Sequence, residues 1–327
     1  MSVGPAHSFE PVHTEPPGEC TSLKPLLTIF LAFTVIDHGV PLATYWQDVN
    51  LRVILEKRPR TLVVDPYCGP GDRPWTEDEL RTLREHGVKP VAYLSLATVG
   101  EHQRDLYRLT RSKRLLGRPD PEWPGDHAVR FWERAWLDAL RAKLKELRDL
   151  GYEGVFIDVV DPWSRDWYVE WFHRETGGDV DELKGRSYRA LEELLRTARD
   201  LGLRVYVNAG DAVFDRRLAE LKDRYGFGVV VENVVADEEG RPTPGNVFEA
   251  KLRALERLGD WVYVFEYGID PERERNRLTE LFSRTDVEEV YITSPDHDRL
   301  GKAAVPPTAL LKRPGSTMGR LLKLLVA

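Results

Sequence analysis

Cysteine is almost absent from this chain of 327 residues: there are two, Cys20 and Cys68. One pair cannot establish an oxidising compartment, and two free thiols are the expectation. Methionine is equally scarce, and the accompanying wealth of Arg and Glu leans toward a thermophile. Long apolar runs are missing as well. The most apolar stretch, 26–36, falls far short of the roughly 20 residues a membrane helix needs, so no membrane span is expected. The chain does not open on a basic segment; its first 22 residues carry Pro and Glu and are expected to form a flexible tail rather than an ordinary signal peptide. That leaves a cytoplasmic protein as written, or a secreted one whose leader is missing from this chain. Excess positive charge is lacking too: the formal net charge is −7, which provides no field for nucleic acid. No GxGxxG follows an apolar run, against a dinucleotide-binding fold. The eight His residues form neither HxH nor HExxH, so no zinc site is expected and no cofactor is implied.

What the chain does have is one recurring step: a helical stretch ends in Gly and a Val-rich run follows within a few residues. Gly87 precedes Val91–Ser95, Gly151 precedes Val155–Asp158, Gly202 precedes Val205–Asn208, and Gly259 precedes Val262–Glu266. Each reads as a helix with a Gly cap, a short loop and a buried strand. Further strands are expected at 61–65, 228–232 and 287–292, and a first one at 27–34. Thr76 with Glu79 reads as a capping box, and Asp179 as an N-cap. Strand and helix alternate about eight times, which predicts an α/β fold, a (β/α)8 TIM barrel, as a single domain over 23–327. The stretch 98–126, rich in Arg and Pro, is expected as an insertion after the third strand, over the mouth of the barrel.

The strand ends carry the chemistry. Six consecutive strands finish in Asp65, Ser95, Asp158, Asn208, Glu232 and Glu266. Any one could be a satisfied polar cap, but in a barrel all six share the face where active sites lie. With Asp161 they make an acidic rim. Crowded carboxylates repel one another, so one retains a proton beside an ionised partner, the pairing that glycosidic cleavage uses. A Mg2+ or Ca2+ site is the rival use of such carboxylates. Trp163 and Tyr267 are candidates for stacking on sugar faces, whereas Trp167 and Trp171, at i and i+4, suit helix packing.

Several segments resemble glycoside hydrolase family 114, the endo-α-1,4-polygalactosaminidase family. They are Val64-Asp65-Pro66; Tyr93-Leu94-Ser95 followed by Gly100-Glu101 and Arg104; the run from Gly125 to Trp132 with Trp136; and Gly154 to Asp161, the nearest match. Leu96-Ala97-Thr98-Val99 stands between Ser95 and Gly100 where the family usually has one residue. The resemblance implies a barrel, Asp158 as nucleophile and Glu232 as proton donor; the strand ends alone leave Glu266 as a third candidate. It also implies that Asp65, Tyr93, Ser95, Glu101, Arg104, Asp161, Trp163, Asn208, Glu266 and Tyr267 bind substrate. The implied partner is an α-linked oligo- or polysaccharide, galactosamine polymers included. Two rival readings are a carbohydrate-binding barrel without turnover and a hydrolase using a carboxylate-bound divalent metal.

Overall fold

Gly151 sets the first joint of the architecture. Its φ of 111° lies in the left-handed region, where its N–H bonds back to the carbonyls of Leu147 and Arg148 and ends the preceding helix. The chain then turns directly into a buried strand. The computed structural model describes residues 43–45, 49–237, 239–293 and 303–305. The expected tail 1–22, the expected first strand at 27–34 and Cys20 lie outside the described residues.

In chain order the strands are β1 (Ala43–Tyr45), β2 (Thr61–Val64), β3 (Lys89–Ser95), β4 (Thr98–Gly100), β5 (Leu116–Pro119), β6 (Asp126–Val129), β7 (Gly154–Asp158), β8 (Arg204–Asn208), β9 (Gly228–Glu232), β10 (Val262–Tyr267), β11 (Val287–Thr293) and β12 (Ala303–Val305). The helices are α1 (Leu51–Lys57), α2 (Glu77–Glu85), α3 (Arg104–Ser112), α4 (Arg134–Leu150), α5 (Asp166–Thr176), α6 (Val180–Asp200), α7 (Arg216–Tyr225), α8 (Gly245–Leu258) and α9 (Arg275–Arg284). β1, β2, β3, β7, β8, β9, β10 and β11 run parallel in that order, and β12 adds to β11 antiparallel. Parallel neighbours in chain order, each reached through a helix, make a (β/α)8 TIM barrel.

Side-chain alternation separates two cores. Phe156, Tyr206, Val230, Tyr263, Phe265 and Tyr291 point inward and pack together, although they come from five strands. Tyr206 on β8 also lies within hydrogen-bonding reach of Thr61 on β2, three places along the sheet, so the sheet curls on itself. Val155, Ile157, Val205, Val207, Val229, Val231, Val262 and Val264 point outward into the leucines of the helices. Burying each such side chain contributes about 1.5–3 kcal/mol, which makes the register of every strand strongly specified.

The caps hold the helices at their starts. The Thr76 hydroxyl accepts from the Glu79 amide, and the Glu79 carboxylate accepts from the Thr76 N–H at 2.9 Å. Asp179 accepts from the Glu182 amide at 2.9 Å at the head of α6. Between β3 and α4 the chain makes an excursion: β4, α3, β5 and β6, with the strands forming a small antiparallel sheet ordered β4-β6-β5. It is tied to the barrel wall. Trp136 Nε1 donates to the Leu96 carbonyl at 2.8 Å, and the Tyr168 hydroxyl donates to the Val129 carbonyl at 2.6 Å. Trp167 and Trp171 are buried packing residues beside these anchors. Among the described residues no helix is long and apolar enough to cross a membrane.

Candidate active site

The inward alternation of β7, β8 and β9 brings Phe156, Tyr206 and Val230 into the barrel interior, and two residues further along each strand stand Asp158, Asn208 and Glu232. Asp158 is held by three donors. Tyr93 Oη donates to its Oδ2 at 2.9 Å, Asn208 Nδ2 to its Oδ1 at 3.0 Å, and the Val159 amide to the same Oδ1 at 2.8 Å. Three donors to one carboxylate fix its rotamer. Burial, then the facing Asp158 carboxylate, push the Tyr93 hydroxyl well above its ordinary pKa, so it stays a donor. Glu232 is held from the next strand: Tyr267 Oη donates to its Oε1 at 2.6 Å. β7 and β9 are two places apart, which separates their backbones by roughly 10 Å at ordinary strand spacing.

The residues after both carboxylates have left-handed backbone. Val159 has φ 50° and Asn233 has φ 57°. For a β-branched residue such as valine this conformation is strained, by about 1–3 kcal/mol, and strain of this kind clusters at functional sites. The turn at Asn233 is braced by Lys251 on α8, whose Nζ donates to the carbonyls of Glu232 at 3.0 Å and Asn233 at 2.8 Å.

The other expected site residues take varied places. Asp65 accepts the Tyr67 amide at 2.7 Å on Oδ1 and lies 2.8 Å from His102 Nε2 through Oδ2. Ser95 is buried, with its hydroxyl 2.7 Å from that of Thr98 and accepting the Thr98 amide, so it shapes the turn into β4. Asp161 is a loop staple: its Oδ2 accepts the Asp211 amide at 2.7 Å and the Ser164 hydroxyl at 3.1 Å. Trp163 packs on Tyr188, ring centroids 5.3 Å apart, with Lys184 over its face. Glu101 and Arg104 are exposed at the end of β4 and the start of α3, where Glu101 accepts the Tyr107 hydroxyl at 3.3 Å. Of the extra residues between Ser95 and Gly100, Thr98 and Val99 lie in β4.

Glu266, expected at the rim, is turned away from Glu232. It follows Val262 and Val264 on the outward side of β10, is fully buried, and its oxygens accept the amides of Val235 at 2.6 Å and Ala236 at 3.1 Å. Burial raises its pKa to about 7. It shapes the loop after Glu232; inward-facing Tyr267 makes the contact with Glu232 itself.

The structure adds groups that sequence reasoning passed over. Arg165, half-buried, pairs with Asp120 at 3.3 Å; burial alone would lower its pKa, but Asp120, Asp158 and Asp161 hold it above the ordinary value. It is a fixed cation beside the acidic rim. Burial lifts Asp126 to about 6. Asp65, Cys68 and His102 each bring a ligand-type atom to within 4.8 Å of the others. No short motif could have flagged this group, because His102 reaches it from the excursion after β3.

Comparison with known proteins places this geometry. The family described as "Glycoside-hydrolase family GH114" matches residues 61–301. An uncharacterized protein of Deinococcus radiodurans is 30% identical over 167 residues, 50% of each chain. The chain spans half or less of the length of the curated relatives it matches. Among solved structures, the glycoside hydrolase domain of PelA from Pseudomonas aeruginosa is similar at TM-score 0.53 and 21% identity, over 80% of this chain and 96% of that one. Aspergillus fumigatus Ega3, solved in complex with galactosamine, is similar at TM-score 0.55 and 13% identity, over 84% of this chain and 99% of that one. At those identities the likeness is one of fold.

Proposed function

This chain belongs to glycoside hydrolase family GH114, and we propose that it hydrolyses α-linked polysaccharide inside the chain, with Asp158 and Glu232 as the catalytic pair. Asp158 attacks the anomeric carbon, and Glu232 protonates the departing glycosidic oxygen. Glu232 then removes a proton from water, which releases the sugar from Asp158. The observation that supports this reading is that each carboxylate, at the end of its strand, is held by a tyrosine hydroxyl from a neighbouring strand: Asp158 by Tyr93 and Glu232 by Tyr267. Asp158 receives donors on both oxygens, from Tyr93, Asn208 and its own neighbouring amide, which fixes the direction from which it attacks. Glu232 receives the Tyr267 hydroxyl on Oε1, which orients the carboxyl for proton transfer.

The substrate we favour is an α-1,4-linked galactosamine polymer. The acidic mouth suits a cationic amino sugar, and the fold neighbour Ega3 was solved in complex with galactosamine. Asp65, Tyr93, Asn208 and Tyr267 are the groups nearest to hand for sugar hydroxyls or the amino group. The test is release of reducing ends from α-1,4-galactosaminan. Wild type should release them, and Asp158→Asn and Glu232→Gln, checked as folded by circular dichroism, should lose at least about 10^3-fold in kcat. Retained turnover in either variant would remove that residue from the pair. Binding of the polymer by wild type with no reducing ends at any pH would make the chain a carbohydrate-binding barrel instead.

A further inference from the structure

One cluster beside that site holds two side chains, Cys68 and His102, to which the reaction gives no role. At the end of β2, Asp65 Oδ1 accepts the Tyr67 amide and its carbonyl accepts the Cys68 amide at 3.3 Å, so the chain folds back and brings Cys68 beside the Asp65 carboxylate. His102, arriving from the turn after β4, presents Nε2 at 2.8 Å from Asp65 Oδ2. One ligand-type atom from each of the three residues lies within 4.8 Å of the other two. We propose that Asp65, Cys68 and His102 bind one borderline-soft divalent transition-metal ion, zinc in the first instance, on the β2 side of the barrel mouth.

The donor set selects the ion. A thiolate with an imidazole and a carboxylate suits zinc and its neighbours and disfavours Mg2+ and Ca2+, which want oxygen alone. Zinc ligands at about 2.0–2.3 Å from a tetrahedral ion stand roughly 3.3–3.8 Å from each other. Closing from 4.8 Å needs movement of about 1 Å, within the reach of one side-chain torsion. Three protein ligands leave a fourth position for water or a substrate oxygen, the arrangement of reactive rather than purely structural zinc sites.

The imidazole is also seated against bare backbone. A Cβ at Gly100 would stand 2.5 Å from His102 Nδ1 and 2.7 Å from Asp126 Oδ1, so the glycine leaves room for the ring on one side while Nε2 faces Asp65 on the other. This arrangement is independent of the ligand distances. It gives Gly100 a purpose that helix or strand propensity does not supply.

The test uses the full chain, stripped by chelator and dialysed, with Co2+ as optical probe and Zn2+ as competitor. One Co2+ per chain should bind with a thiolate-to-metal charge-transfer absorption, and Zn2+ should displace it. The absorption should persist in Cys20→Ser and vanish in Cys68→Ser, and His102→Gln should weaken Zn2+ binding by about 10–100-fold. Circular dichroism of the stripped variants checks their folding. If either variant fails to fold, the wild-type and Cys20→Ser titrations still decide. Absence of a saturable one-to-one complex with thiolate absorption, or equal affinity in folded Cys68→Ser, overturns the proposal. No sugar enters the measurement, so its outcome is separate from that of the hydrolysis assay.

Discussion

Tyr267 donates its hydroxyl to Glu232 across the β9–β10 boundary at 2.6 Å, while the residue just before it, Glu266, faces the opposite side of the same strand. Glu232 is therefore held at its side chain by Tyr267 and, through the loop that follows it, by Glu266. Removing the side-chain contact is the cleaner experiment. In Tyr267→Phe the ring and its packing stay and one hydrogen bond to a carboxyl group is lost, worth about 1.5–3 kcal/mol. Hydrolysis of α-1,4-galactosaminan should fall by roughly 10–100-fold in kcat with a small change in KM, and the melting temperature should hardly move. An unchanged kcat would detach Tyr267 from the reaction.

Glu289 on β11 supplies a stability prediction with a definite sign. It is buried, with 3% of its surface exposed, and among the described residues neither carboxylate oxygen has a hydrogen-bond partner. Burial raises its pKa from 4.5 to about 8. The folded state therefore keeps a proton that the unfolded state gives up. Stability is fully present below about pH 4.5 as far as this group is concerned, and is lost as pH rises toward 8. Urea denaturation at pH 5.5 and pH 8.5 should show wild type weaker at the higher pH by on the order of a few kcal/mol relative to Glu289→Gln. Parallel pH dependence in the two proteins would sink the assignment.

Val159, directly after Asp158, allows two opposed effects to be weighed. Val159→Gly removes a buried side chain, a cost of about 2 kcal/mol, and adds chain entropy to the unfolded state, about 1 kcal/mol. It also relieves a left-handed valine, a gain of about 1–3 kcal/mol. The net change should be a destabilisation of about 0–2 kcal/mol, whereas Val155→Gly, on β7 with no strain to relieve, should cost about 3 kcal/mol. Thermal melts of the two variants decide it. Equal destabilisation would mean that the strain at Val159 is small.

The barrel and the polar strand ends were legible in the sequence because both rest on local signals. Gly after a helix and alternating Val both act within a few residues, and the strands expected at 61–65, 91–95, 155–158, 205–208, 228–232, 262–266 and 287–292 stand where β2, β3 and β7 to β11 lie, within a residue or two. Facing was harder. Glu266 and Tyr267 are adjacent, and only the register of β10 decides which of them looks inward; Tyr263 and Phe265, seated in the inner core, make it Tyr267. Ser95 and Asp161 read as site residues because both are polar and near strand ends, yet their hydrogen bonds go to loop amides and hydroxyls. The Cys68–His102 approach was illegible, since it depends on how the excursion after β3 folds over the mouth.

Lys251 gives the last prediction. Its Nζ donates to the carbonyls of Glu232 and Asn233, and burial lowers its pKa although Glu266, Asp211 and Glu232 pull the other way. The carbonyls it holds belong to Glu232, at the end of β9, and to the left-handed turn after it. Lys251→Met keeps the aliphatic length and removes both bonds, leaving two carbonyls without that donor at a cost of about 2–4 kcal/mol in stability. Because the turn sets where the Glu232 carboxyl sits, kcat should fall by at least about 10-fold in protein still folded at the assay temperature. Loss of stability without any change in kcat would show that Tyr267 alone is sufficient to aim Glu232.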